Sequence, residues 1–122
     1  MLYAVLIYDS EDVVGAMPKE DLDALIANHE RVQEKLGAEG KLGPAVRLMP
    51  TTAATTLRQG GEGVILDGPF AETREQLLGF YIVDCAALEE AHDAARLIGG
   101  ACAARALEVR PVHLFYPGIG VK

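Results

Sequence analysis

Asp67-Gly68-Pro69-Phe70-Ala71-Glu72-Thr73, continued by Arg74-Glu75-Gln76 and then by Gly79-Phe80-Tyr81-Ile82-Val83-Asp84, is the stretch whose reading decides the fold. Val64-Ile65-Leu66-Asp67 is strand-like and must stop at Asp-Gly-Pro. Gly permits positive φ, Pro holds φ near −65°, and Pro keeps the residue before it out of the helical region. An acid is therefore expected at a strand end, followed by a turn and a second, strongly apolar strand. Thr73 and Gln76 have the spacing of a capping box, which predicts a single helical turn before a strand from Leu78 to Asp84.

Working outward, Thr55-Thr56-Leu57-Arg58 and Val64-Ile65-Leu66-Asp67 flank Gln59-Gly60-Gly61-Glu62-Gly63 as a hairpin. That glycine run has no following Lys-Ser/Thr and reads as a turn, not a phosphate cradle. Upstream, Leu2 to Tyr8 is apolar without helical period and predicts a central strand, with a loop from Asp9 to Ala16. From Pro18 onward, Leu22, Leu25, Ile26, Val32 and Leu36 recur at helical spacing until Glu39-Gly40. Lys41 to Leu48 is extended, interrupted by Gly and Pro. Downstream, Leu88, Ala91, Ala95 and Ile98 make a second helical stripe that Gly99-Gly100 is expected to end, and Leu107 to Val112 alternates as a last strand.

The order is β-α-β, hairpin, β-α-β, which predicts two helices on one face of a mainly antiparallel sheet. A chain of 122 residues forms one domain, 1–122, and has no third layer for the other face. With Tyr3, Val5, Ile7, Phe80 and Ile82 assigned to that open face, a homodimer is expected to cover it.

Eighteen acidic and eleven basic residues give a formal charge of −7 without any Lys/Arg cluster, which argues against nucleic-acid binding. The apolar opening breaks at Asp9, too soon for a signal peptide or a membrane span, so a cytoplasmic location is expected. Cys85 and Cys102 have no CxxC or zinc-finger spacing and read as small buried hydrophobes. His92 and His113 show no HxxxH spacing, and neither a metal site nor a cofactor is expected.

Five further residues carry candidate chemistry. His29 interrupts the apolar stripe of the first helix, either as a core histidine tied to a backbone carbonyl or as a general acid/base facing a cleft. Asp67 is either a turn former or a carboxylate that orients that imidazole. Glu72, in a charged run with Arg74 and Glu75, either orients a polar ligand or is a solvated surface. Tyr81 faces away from Phe80 and Ile82 and can present its hydroxyl to the same pocket or simply pack. Arg110 can bind a carboxylate bidentately or pair with Glu108 or Asp84.

The Asp-Gly-Pro-Phe block and the closing Glu108-Val109-Arg110-Pro111-Val112 resemble the DGPF or YCII-related family, small bacterial proteins of ferredoxin-like, dimeric α+β-barrel fold. The resemblance covers Met1 to Val112. It implies two sheets facing each other in a homodimer. Shorter YCII-type relatives carry a His in this helix before a similar Ala-Glu-Gly, as His29 precedes Ala38-Glu39-Gly40, and a His-Asp active site is associated with them. The resemblance thus implies a His29–Asp67 pair working on a small polar organic molecule, as an isomerase or lyase. The alternative is a non-catalytic dimer that binds a metabolite or a protein.

Overall fold

The computed structural model describes residues 1–61 and 63–120; Glu62, in the glycine run, lies outside them. Its elements are β1 (Leu2–Asp9), α1 (Glu11–Gly15), α2 (Lys19–Ala38), β2 (Leu42–Arg47), β3 (Thr55–Leu57), β4 (Ile65–Asp67), β5 (Gln76–Asp84), α3 (Leu88–Cys102) and β6 (Ala106–Pro111). The main sheet has the order β2-β5-β1-β6 with every pair antiparallel, and β3 and β4 form a separate two-stranded sheet. This is the ferredoxin-like α+β arrangement, with the hairpin inserted between β2 and β5.

Helix α2 starts where its backbone requires: the Pro18 carbonyl accepts from the Asp21 and Leu22 amides, and Glu20 and Asp21 in the first turn suit the positive helix end. It stops at Gly40, whose φ of 71° lets the Lys41 amide reach back to the Leu36 carbonyl at 2.8 Å. Only the second half of the apolar stripe is covered. Val32 and Leu36 are buried, Leu22 and Leu25 are half-buried, and Ile26 is 48% exposed. His29 sits at the boundary between the covered and the open half.

Tyr3, Val5, Ile7, Tyr81 and Val83 are buried with Val32, Leu36, Ala91, Ala94, Ala95 and Ile98 in one cluster. This corrects the assignment of β1. Val5 pairs with Tyr81, so Tyr3, Val5 and Ile7 share Tyr81's helix-covered side, whereas Leu2, Ala4, Leu6, Val46, Phe80 and Ile82 form the other face. On that open face β6 contributes Glu108 beside Leu6 and Arg110 beside Ala4.

Three local expectations also change. Glu11–Gly15 is a short helix instead of loop, held because the Glu11 carboxylate accepts from the Thr51 amide and hydroxyl, while the Glu11 amide donates to the Gln76 side chain. No helical turn precedes β5; the Gln76 side chain donates to the Thr73 carbonyl and the strand begins at Gln76 itself. Gly99 and Gly100 do not end α3. A Cβ on Gly99 would lie 2.8 Å from a Leu107 methyl, so its missing side chain lets β6 pack close. The helix ends instead at Ala103, in the left-handed region at φ 52°, where a side chain is disfavoured. Ala103→Gly is expected to raise stability by about 1 kcal/mol, read by urea unfolding; an unchanged midpoint would contradict this strain.

Candidate functional site

Where α2 crosses the outer part of the sheet, Nδ1 of His29 lies 2.8 Å from the Tyr81 hydroxyl, a hydrogen bond whose donor depends on the imidazole tautomer. The rings are stacked at 22° with centroids 5.9 Å apart. The strand alternation that aims Tyr81 away from Phe80 and Ile82 brings it under His29. No second hydrogen bond to His29 is found among the described residues.

Burial pushes the His29 pKa below its ordinary value, and the Arg47 guanidinium adds to this. Burial pushes the Tyr81 hydroxyl up, with Gln33 pulling the other way by hydrogen bonding and Cys102 adding to the rise. Both groups are therefore neutral at pH 7. Since folded His29 holds a proton less readily than the unfolded chain, its contribution to stability is present above about pH 6.5 and is lost as pH falls through the depressed value. Arg47→Gln is expected to move the His29 pKa part of the way back up, leaving the burial effect, as read by NMR titration.

Arg47 was not singled out from the sequence. Ala45 pairs with Tyr81 and Arg47 with Gly79, so Arg47 lies diagonally beside Tyr81 on the helix-covered side of edge strand β2. Its guanidinium forms no hydrogen bond or ion pair among the described residues, in contrast to Lys41, whose ammonium is held by Glu39 at 2.9 Å and Glu90 at 2.7 Å. Gly79, buried and without a side chain, lets the β2 backbone at Val46 and Arg47 approach closely. Asp9 is the buried charged residue of the core; its carboxylate accepts from the Ser10 amide at 2.7 Å and lies 3.7 Å from Arg105.

The remaining candidates lie elsewhere. Asp67 does end a strand at a Gly with φ 97°, but that strand belongs to the hairpin, not to the main sheet. The turn is closed by the Gly68 amide donating to Ala54 and the Thr56 hydroxyl donating to Gly68, while the exposed Asp67 carboxylate bonds to no described residue. The structure does not bring Asp67 to His29. Glu72 is exposed on the following loop, and Arg110 is on the open face, across the sheet from His29. Neither Glu108 nor Asp84 pairs with Arg110; Asp84 instead meets the N-terminal amine at 3.2 Å.

Cys85 is buried and Cys102 half-buried, both as free thiols pushed up by burial, so neither is activated as a nucleophile. Among the described residues no cluster of three or more His, Cys, Asp or Glu is placed to hold a metal ion, and no helix is long and apolar enough to cross a membrane. Two concavities, of about 450 and 420 Å³, run along the outer α2–α3 seam beside Lys35 and Arg96. They are shallow, and neither includes His29 or Tyr81.

The sheet order and the two helices on one face place the chain among small ferredoxin-like α+β proteins, here with an inserted hairpin. Within that class, the YCII-related domain profile matches residues 1–115, and the chain belongs to this family. It is also 52% identical over 120 residues to an uncharacterized protein of Rhizobium meliloti (strain 1021), spanning 97% of both chains.

Proposed function

We propose that the chain is a homodimeric acid/base enzyme for small enolisable carbonyl compounds, of isomerase or lyase type, with His29 as the base. The observation that carries this reading is the hydrogen bond between half-buried His29, at the boundary of the uncovered half of α2, and buried Tyr81. Tyr81 fixes the ring through Nδ1, which leaves Nε2 for a substrate, and the lowered pKa keeps the imidazole unprotonated at neutral pH. In the step envisaged, a C–H proton next to a carbonyl passes to Nε2 and its bonding electrons move into the carbonyl oxygen as an enolate. Return of the proton to a different atom completes an isomerisation.

The second copy is invoked for the open face of Leu6, Phe80, Ile82 and Val46, which the two long helices, packed on the other side of the sheet, do not cover. The rival reading, a non-catalytic metabolite-binding dimer, draws on the absence of a described acid beside His29. Deuterium exchange into the methyl groups of pyruvate and acetone in heavy water separates the two. The enzyme reading expects the native protein to accelerate exchange of at least one compound and His29→Gln to lose about 10²–10⁴-fold of that rate. Equal rates with and without protein would leave the binding dimer.

A further inference from the structure

We propose that the His29 site takes a small organic carboxylate, its negative end held by Arg47 and its reacting carbon presented to His29; this rests on the reading of His29 as the base. The placement comes from strand register. Arg47 shares the helix-covered side of the sheet with Tyr81, one pairing step away, and belongs to the strand at the sheet edge. Arg47 is exposed there, and its guanidinium is near enough to His29 to act on its charge.

The cation is also uncommitted. Lys35, Lys41, Arg96 and Arg105 each lie within ion-pair distance of an acid, and Arg31 donates to Asn28. Lys19, Arg58, Arg74 and Arg110 also lack such a partner among the described residues, but none of them stands beside Tyr81 on the helix-covered side of the main sheet. Arg47 has no such partner among the described residues, although the chain carries a surplus of acids. A guanidinium that the fold leaves unpaired beside a neutral imidazole and a phenol offers a planar fork of donors suited to a carboxylate. Gly79 brings the strands close. It stands opposite Arg47, and a Cβ there would lie 2.2 Å from the Val46 carbonyl oxygen and 3.1 Å from the Arg47 Cα, so its missing side chain holds Arg47's strand tightly beside Tyr81.

The chemistry fits the same order. Arg47 raises the cost of protonating His29, so a bound carboxylate that offsets its charge makes Nε2 a better proton acceptor when substrate is present. A neutral analogue of the same shape gains neither the fork nor this adjustment.

The test is titration of the protein with pyruvate and separately with pyruvamide, followed through the His29 ring resonances and their pKa. Pyruvate is expected to perturb them saturably and raise the His29 pKa, with pyruvamide binding at least about tenfold more weakly. Arg47→Gln should lose at least about tenfold in pyruvate affinity, Arg47→Lys should keep part of it, and Arg96→Gln on the outer seam should keep all of it. Equal affinity for the amide, unchanged binding in Arg47→Gln, loss in Arg96→Gln or no perturbation by pyruvate would each overturn the proposal. The two readings fail separately: Arg47-dependent binding without deuterium exchange removes the enzyme and keeps the carboxylate site, and His29-dependent exchange that ignores Arg47 does the reverse.

Discussion

Gly79→Ala is expected to destabilise the fold by about 2–3 kcal/mol and to loosen edge strand β2, because a Cβ at this position would sit 2.2 Å from the Val46 carbonyl oxygen. The obstacle is backbone, so no rotamer change relieves it. Either β2 moves away from β5, giving up pairs such as Val46 with Phe80 and the bond from the Leu48 amide to the Leu78 carbonyl, or β5 buckles beneath Tyr81. Both displace Arg47 from the His29–Tyr81 pair. Urea unfolding reads the stability, and hydrogen exchange reads the loosening at residues 42–47. A variant as stable as the native chain, with β2 protection unchanged, would contradict this close approach.

Phe80→Asp is expected to abolish the homodimer at micromolar concentration while leaving the chain folded. Phe80 is paired with Leu6 on one side and Val46 on the other at the centre of the open face, and it does not contribute to the buried cluster under the helices. In a two-fold dimer the substitution enters twice, and each buried carboxylate costs several kcal/mol, so affinity should fall about a thousandfold or more. Light scattering with far-UV circular dichroism decides: a monomer mass with native helix content is expected. A native chain that is already monomeric, or a variant that stays dimeric, would remove this face as the interface.

The part of the fold that rests on local chemistry was legible in the sequence. Pro18 and Gly40 bound α2, Gly68 makes the Asp-Gly-Pro turn, and the alternation around Tyr81 sets which way its hydroxyl points. Strand β1 was not so readable, because Leu2 to Tyr8 is apolar on both faces and periodicity has nothing to distinguish. Only pairing with β5 decides that Tyr3, Val5 and Ile7 go under the helices. The glycines at 99 and 100 mislead for a similar reason, since a glycine that lets Leu107 approach looks in one dimension like one that ends a helix.

For the site, His29 stood out as the polar member of an apolar stripe, and Tyr81 followed from strand parity. Arg47 did not, because its neighbourhood depends on a β2–β5 register containing an irregularity between Leu42 and Ala45. Asp67 drew attention through a turn that is real, but a strand end in sequence does not say which sheet the strand joins.

The most direct measurement of the central claim is the pH titration of the His29 imidazole by NMR in the native protein and in Tyr81→Phe. A native pKa below the ordinary 6.5, a single titration with Nδ1 held by Tyr81, and altered Nδ1 and ring shifts in Tyr81→Phe are expected. A native value at or above 6.5, or an imidazole whose titration and Nδ1 shift ignore the loss of the Tyr81 hydroxyl, would contradict the claim.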